Sequence, residues 1–247
     1  MIQDGLFLLL LFVANFIQSI TGFGGNMISM PIAVRLMDIE KAKVIMNLFF
    51  AAGSFLIAYK NRKYINYKVL KKMLIGMIAG MITGMVLFHH LPLSILLRWY
   101  ALFLIVVAVK KMFDIWKEEN IKVSERRGKK LNATLGGVIL LASGILQGML
   151  LSGGSLLVIY AITQMKEKNE FRATVSAVWV VLGGIMGIWH GYRGSYRKDT
   201  FFIIGLSLIY LLFSKYLGEV IYQKIDQRGF LKLTYALVFV AGITLLI

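Results

Sequence analysis

The sequence predicts an all-α polytopic membrane protein of two homologous halves, each with a glycine-broken helix, and three observations predict it. Of the 247 residues 58% are hydrophobic and only 16% charged, with a mean hydropathy of +0.74, too little polar surface to cover a water-soluble domain. Apolar runs recur at 6–21, 26–37, 44–59, 69–88, 93–109, 133–151, 155–165, 173–189, 201–217 and 230–247. They are apolar all round rather than alternating, as helices in lipid are and barrel strands are not. Polar residues of the second half also repeat those of the first at a constant spacing. At about 20 residues per crossing, six to eight transmembrane helices fit.

The first run has no basic stretch before it and no small-residue cleavage site after it, so it reads as a retained span. It leads directly into Gln18-Ser19-Ile20-Thr21-Gly22-Phe23-Gly24-Gly25-Asn26, closed by Pro31. Each glycine costs a helix about 0.8–1 kcal/mol against alanine, so the backbone unwinds here. A helix continuous from 6 to 37 would be about 48 Å long against a hydrocarbon core of about 30 Å, so the segment bends or folds back. Spans at 44–59, 69–88 and 93–109 follow, and then the one long hydrophilic stretch, KKMFDIWKEENIKVSERRGKK at 110–130. These features place the first membrane repeat at 1–113, a basic cytoplasmic linker at 114–132 and the second membrane repeat at 133–247.

The second half matches the first with Gln147 at the place of Gln18, Gly153-Gly154 at Gly24-Gly25, Ser155 at Asn26, Arg172 at Lys43 and Ser176 at Asn47, all 129 positions apart. After an insertion, Tyr235-Ala236-Leu237 meets Tyr100-Ala101-Leu102 at a spacing of 135. Paired repeats with interrupted helices are a transporter signature. If each broken segment is re-entrant, three spans remain per half, the repeats are inverted and 21 of the 28 Lys and Arg residues lie on the cytoplasmic side. If each broken segment crosses once, the repeats are parallel and that number falls to 17. The positive-inside rule favours the inverted arrangement, with both termini outside a cell (cytoplasmic) membrane.

Unwound backbone at membrane depth must be buried or line a wet cavity. The half-helix after it turns unpaired N–H groups toward that cavity, which suits an anion. The candidate substrate-binding residues are therefore Gln18, Thr21, Gly22, Gly24, Gly25 and Asn26 at the first break, and Gln147, Ser152, Gly153, Gly154 and Ser155 at the second. One glycine run is more simply read as close helix packing; two at matched positions favour a site. Lys43 and Arg172 each stand one turn before a small polar residue, Asn47 or Ser176, which places charge and donor on one helical face. The competing reading of each base is an anchor that snorkels to lipid phosphate. Trp179, on the helix of Arg172, reads as a buried or belt aromatic that is also placed to wall a site.

QSITGFGGNMISMP, its second copy QGMLLSGGSLL, and the downstream Lys43 and Arg172 resemble the TauE/SafE family of membrane transporters, also called the sulfite/sulfonate exporter or TSUP family. The resemblance covers nearly the whole chain. It implies a carrier or facilitator of small anions such as sulfite, sulfoacetate or related organosulfonates. The second copy has only two adjacent glycines, and Tyr160 stands where the first has Pro31.

Other function classes are disfavoured by what the sequence lacks. Without cysteine there are no thiolate sites, and His89, His90 and His190 are too few for a metal cluster. There is no GxxxxGK[ST] phosphate loop, and all 12 acids lie in or near loops and span ends, which argues against a cation pump. The formal charge of +16 sits between apolar runs, where topology and anionic lipid account for it better than nucleic acid. The expected partners are a small anionic substrate and membrane lipids; no cofactor and no catalysis are expected, and a homo-oligomer is left open. The alternative is an intramembrane enzyme acting on a lipid or isoprenoid substrate. It would need clustered His, Asp or Glu at membrane depth.

Overall fold

The computed structural model describes residues 2–87, 98, 101–102, 105–106, 108–110, 112–113, 132–196 and 198–246. The expected linker at 114–132, apart from residue 132, lies outside the described residues, as do His89, His90 and Tyr100. The described chain is helical and contains no strand. Its helices are α1 (Ile2–Thr21), α2 (Gly25–Leu36), α3 (Ile39–Lys60), α4 (Tyr67–Leu87), α5 (Ala133–Leu150), α6 (Gly154–Gln164), α7 (Lys168–Tyr192), α8 (Lys198–Lys224) and α9 (Gln227–Leu246). Six of them, α1, α3, α4, α5, α7 and α8, contain stretches long and apolar enough to cross a membrane, so the chain is an all-α, multi-pass membrane protein.

Side-chain contacts fix the directions of these spans. Asn47 meets Gly183 and Asn66 meets Thr174, while Lys43 and His190 line one cavity, so α3 and α7 pack antiparallel. Helix α8 runs parallel to α1, because Asn15 donates to Ser214 and a Cβ on Gly218 would meet Phe16 and Ser19. It also runs parallel to α3, through the approach of Leu211 to Gly53 and the Lys60–Glu219 ion pair. Helices α1 and α3 therefore point the same way, and the 12-residue α2, about 18 Å long, carries the chain back between them. On the other side α4 runs parallel to α5 (Gly76 on Leu140, Gly84 on Ile145) and to α7. The 11-residue α6 is thus a second short return, between α5 and α7. The folding-back expected from the sequence is present in both places, with the break falling after a helix already long enough to span.

The closest contact is between α4 and α5, and small residues make it. An added Cβ at Gly80 would land on the Leu141 carbonyl oxygen, at Gly84 on that of Ile145, at Gly144 on that of Met77 and at Gly148 on that of Met81. In lipid, where no hydrophobic driving force separates helix from solvent, such backbone approach is what holds helices together. Polar side chains supplement it. Asn15 Nδ2 donates to Ser214 Oγ at 2.7 Å, and Asn47 Nδ2 to the Gly183 carbonyl at 2.9 Å. Phe23, Phe171 and Phe230 stack edge to face at 6.1 and 5.5 Å and tie the first break to α7 and α9.

Gly144→Val should therefore sharply lower the fraction of protein that elutes monodisperse from detergent, because the α4–α5 backbone contact cannot open without parting the two spans. Gly184→Ala, whose Cβ would meet nothing within 4 Å, should elute like the parent.

Candidate functional site

Each break is a short turn that satisfies its own backbone. Helix α1 ends with Gly22 N–H donating to the Gln18 carbonyl at 2.7 Å. Gly22 (φ 82°) and Gly24 (φ 92°) occupy the left-handed region, where a side chain is strained. Thr21 Oγ1 closes the turn by donating to the Phe23 carbonyl at 2.7 Å. In the second break the place of Gly22 is held by Leu151, at φ 56°, and Gly153 has an ordinary φ of −65°. Gly153 is required for another reason: its added Cβ would strike the Ser143 carbonyl oxygen. Ser143 Oγ donates to the Gly153 carbonyl at 2.6 Å, and Gln147 Oε1 accepts from Gly153 N–H at 3.3 Å.

The two turns meet at one cavity of about 390 Å³, lined by Gln18, Gly24, Asn26, Met27, Asn47, Phe50, Ala51, Gln147, Leu151, Gly154, Trp179 and Gly183. The amino ends of α2 and α6 both reach it. Neither has a side-chain cap or an acidic residue in its first turn, so the positive ends of two short helices meet there uncompensated. No charged residue lines the cavity. Asn26 Oδ1 and Trp179 Nε1 are buried and have no partner within the protein. Gln18 is fixed from behind: its Nε2 donates to the Phe50 carbonyl at 3.1 Å and to Ser54 Oγ at 2.9 Å.

Of the residues expected from the sequence, Gln18, Gly24, Asn26, Asn47, Gln147 and Gly154 line this cavity. Gly25 packs under Phe50 and Gln18, while Gly153 and Ser155 belong to the second turn and the start of α6. Ser176 is buried with an unpartnered Oγ but lies outside the lining. Thr21, Gly22 and Ser152 shape the turns: the Thr21 and Ser152 hydroxyls bond neighbouring carbonyls, and Gly22 lets Arg172 pack against it. Lys43 and Arg172 are not at the cavity. They sit toward opposite ends of the α3–α7 pair, Lys43 beside Glu40 at 3.5 Å and Arg172 on Glu219 at 2.7 Å.

The arrangement of Arg172 is a closed one. Its guanidinium, 1% exposed, lies 3.9 Å from the centroid of the Tyr222 ring, and Glu219 bridges it to Lys60 at 3.0 Å. Phe50 is a lining residue that reading for polar residues missed, and Trp179 was recognised only as one reading of an aromatic. The repeat carries the signal, since Phe50 and Trp179 stand 129 positions apart, the spacing that relates Gln18 to Gln147.

Crossing helices, two short return helices and a buried polar cavity where the returns begin define a membrane transporter. The chain belongs to the sulfite exporter TauE/SafE family, whose sequence profile matches residues 7–245. No curated protein and no solved structure matches it significantly.

Gly25 and Gly154 stand at equivalent places with unequal room. A Cβ at Gly25 would overlap Phe50 and the Gln18 amide, whereas at Gly154 it would make an ordinary contact with Trp179 at 3.5 Å. Gly25→Ala should abolish the rise in melting temperature given by sulfite, and Gly154→Ala should keep most of it, measured by thermal unfolding of the purified proteins.

Proposed function

We propose that the chain is a secondary carrier or facilitator of the cytoplasmic membrane that moves a small anion, sulfite or an organosulfonate such as sulfoacetate, through the cavity between the two breaks. The observation that carries this reading is the meeting of two uncapped helix amino ends at a cavity that also holds the unpartnered Trp179 N–H. Backbone N–H groups and helix dipoles favour negative charge, and a small oxyanion accepts from several donors at once. Glycine at 24, 25 and 154 keeps that backbone uncovered.

In this reading residues 1–113 and 133–247 are inverted repeats, and the antiparallel packing of α3 on α7 supports it. The pairing of α4 with α5 is mirrored by that of α8 with α1, and the contact of α3 with α8 by that of α7 with α4. The loops at 60–72 and 110–130 face the cytoplasm, as the distribution of basic residues requires. The substrate-binding residues are those of the two breaks together with Asn47 and Trp179.

Purified protein in liposomes loaded with labelled sulfite should release it faster than empty liposomes do. Trp179→Phe should weaken sulfite binding about two- to tenfold, the value of one neutral hydrogen bond of roughly 0.5–1.5 kcal/mol. Efflux of sulfite, sulfoacetate and methanesulfonate all at the rate of empty liposomes would refute the reading.

A further inference from the structure

A second cavity, of about 400 Å³, lies at the end of the α3–α7 pair opposite Arg172, and Lys43, His190 and Arg193 line it together with Glu40, Trp189 and Gly148. We propose that it is a second binding site for a small oxyanion, a vestibule from which the ligand reaches the central cavity. The proposal rests on the reading of the central cavity as an anion site.

Three observations support it. His190 is 5% exposed, and its Nε2 has no partner within the protein. An imidazole at such a place has lost water without gaining a protein hydrogen bond, which a bound oxyanion supplies. Lys43 is equally buried, and its one carboxylate neighbour holds it loosely, since Glu40 Oε1 is 3.5 Å away and the Glu40 side chain is 53% exposed. With Arg193 at the mouth, positive charge exceeds negative. The vestibule also adjoins the central cavity: Lys43 is one helical turn before Asn47, and Gly148 follows Gln147, where Asn47 and Gln147 line the inner space.

The opposite end of the pair shows what a closed version looks like. A Cβ on Gly218 would meet the Phe16 carbonyl, and one on Gly84 that of Ile145, and Phe16 and Ile145 are 129 positions apart. Gly84 and Gly218 therefore hold corresponding places, which puts Met85 where the other end has Glu219. By the 129 spacing, Trp189 likewise stands where the other end has Lys60. There Glu219 clasps both Arg172 and Lys60 at 2.7 and 3.0 Å. Met85 offers no carboxylate, so the cations of the vestibule remain available to a ligand from solution.

Trp179 lines the inner cavity and Trp189 the vestibule, so two single-tryptophan proteins report on them separately. With Trp99, Trp116 and one of this pair replaced by Phe, the remaining fluorescence is titrated with sulfite and, in parallel, with sulfate, on protein shown by circular dichroism to be folded. The proposal predicts that sulfite changes the Trp189 signal saturably. Adding Lys43→Gln with Arg193→Gln should weaken that response at least tenfold while the Trp179 response keeps its midpoint. His190→Leu should weaken the Trp189 response, and His190→Gln, which retains an N–H donor, should restore part of it. A silent Trp189 beside a responsive Trp179 overturns the vestibule and leaves the central site standing. Silence of both overturns both readings, and a Trp189 midpoint indifferent to loss of Lys43 and Arg193 overturns the vestibule alone.

Discussion

A backbone that unwinds inside a membrane must satisfy its own polar groups, because lipid offers none, and that constraint shapes the rest of this molecule. Both breaks meet it with residues from their own helix. Gln18 and Gln147 accept through main-chain carbonyls, Thr21 and Ser143 through their hydroxyls fasten the turn, and the chain then starts a new helix within three residues. What is left over is the first turn of each new helix, whose N–H groups have no acceptor in the preceding chain. Because each break also reverses the course of the chain, these two left-over ends come to the interior, where they meet across Gln18, Asn47, Gln147 and Trp179. The polar cavity is thus a consequence of how the spans are broken.

The two halves meet this constraint with different residues, which separates the role of backbone shape from that of composition. The left-handed residue at the end of α1 is Gly22, and at the end of α5 it is Leu151. A leucine there bears a strain of order 1–3 kcal/mol that glycine avoids, and the surrounding contacts hold it in place. Conversely Gly153 is a glycine with an unremarkable φ, kept by the nearness of Ser143. A motif read as a run of glycines is therefore three requirements in one: left-handed backbone, close approach to a neighbouring helix, and uncovered N–H groups facing the cavity.

Much of this was legible in the sequence. The hydropathy, the glycine breaks and the 129 spacing gave the helical membrane fold, the folding-back and most of the polar lining, because each depends on local composition or on a periodicity that survives divergence. The aromatic wall was harder to read, since Phe50 and Trp179 have the same composition as any lipid-facing position and only their place in the repeat marks them. The fate of Lys43 and Arg172 was not legible. Their equivalence suggested a shared role at the centre, but whether a buried cation serves a ligand depends on its neighbours in space. Glu219 lies 47 residues from Arg172, on the helix where the two halves lose their constant spacing. The sequence marked where the charges enter the fold and not which one already had a partner.

That distribution of charge matches what a carrier needs from its site. Two unit charges 4 Å apart attract by about 4 kcal/mol at an effective dielectric of 20, and more where water is excluded. A guanidinium at the centre would hold an oxyanion hard enough to slow its departure, and conduction requires binding weak enough to leave. Here the centre offers neutral donors and partial helix charges, which replace the hydration of the anion without trapping it. The full charges stand at the ends of the α3–α7 pair, and the more deeply buried of them, Arg172, is neutralised by Glu219 and covered by Tyr222. Taking Glu219 away would leave that guanidinium uncompensated in a buried place, a change that costs several kcal/mol, and would at the same time create a strong anion trap beside the first break. The ion pair thus has two effects at once: it allows a buried arginine to brace Gly22, and it keeps that arginine from competing with the cavity for the anion.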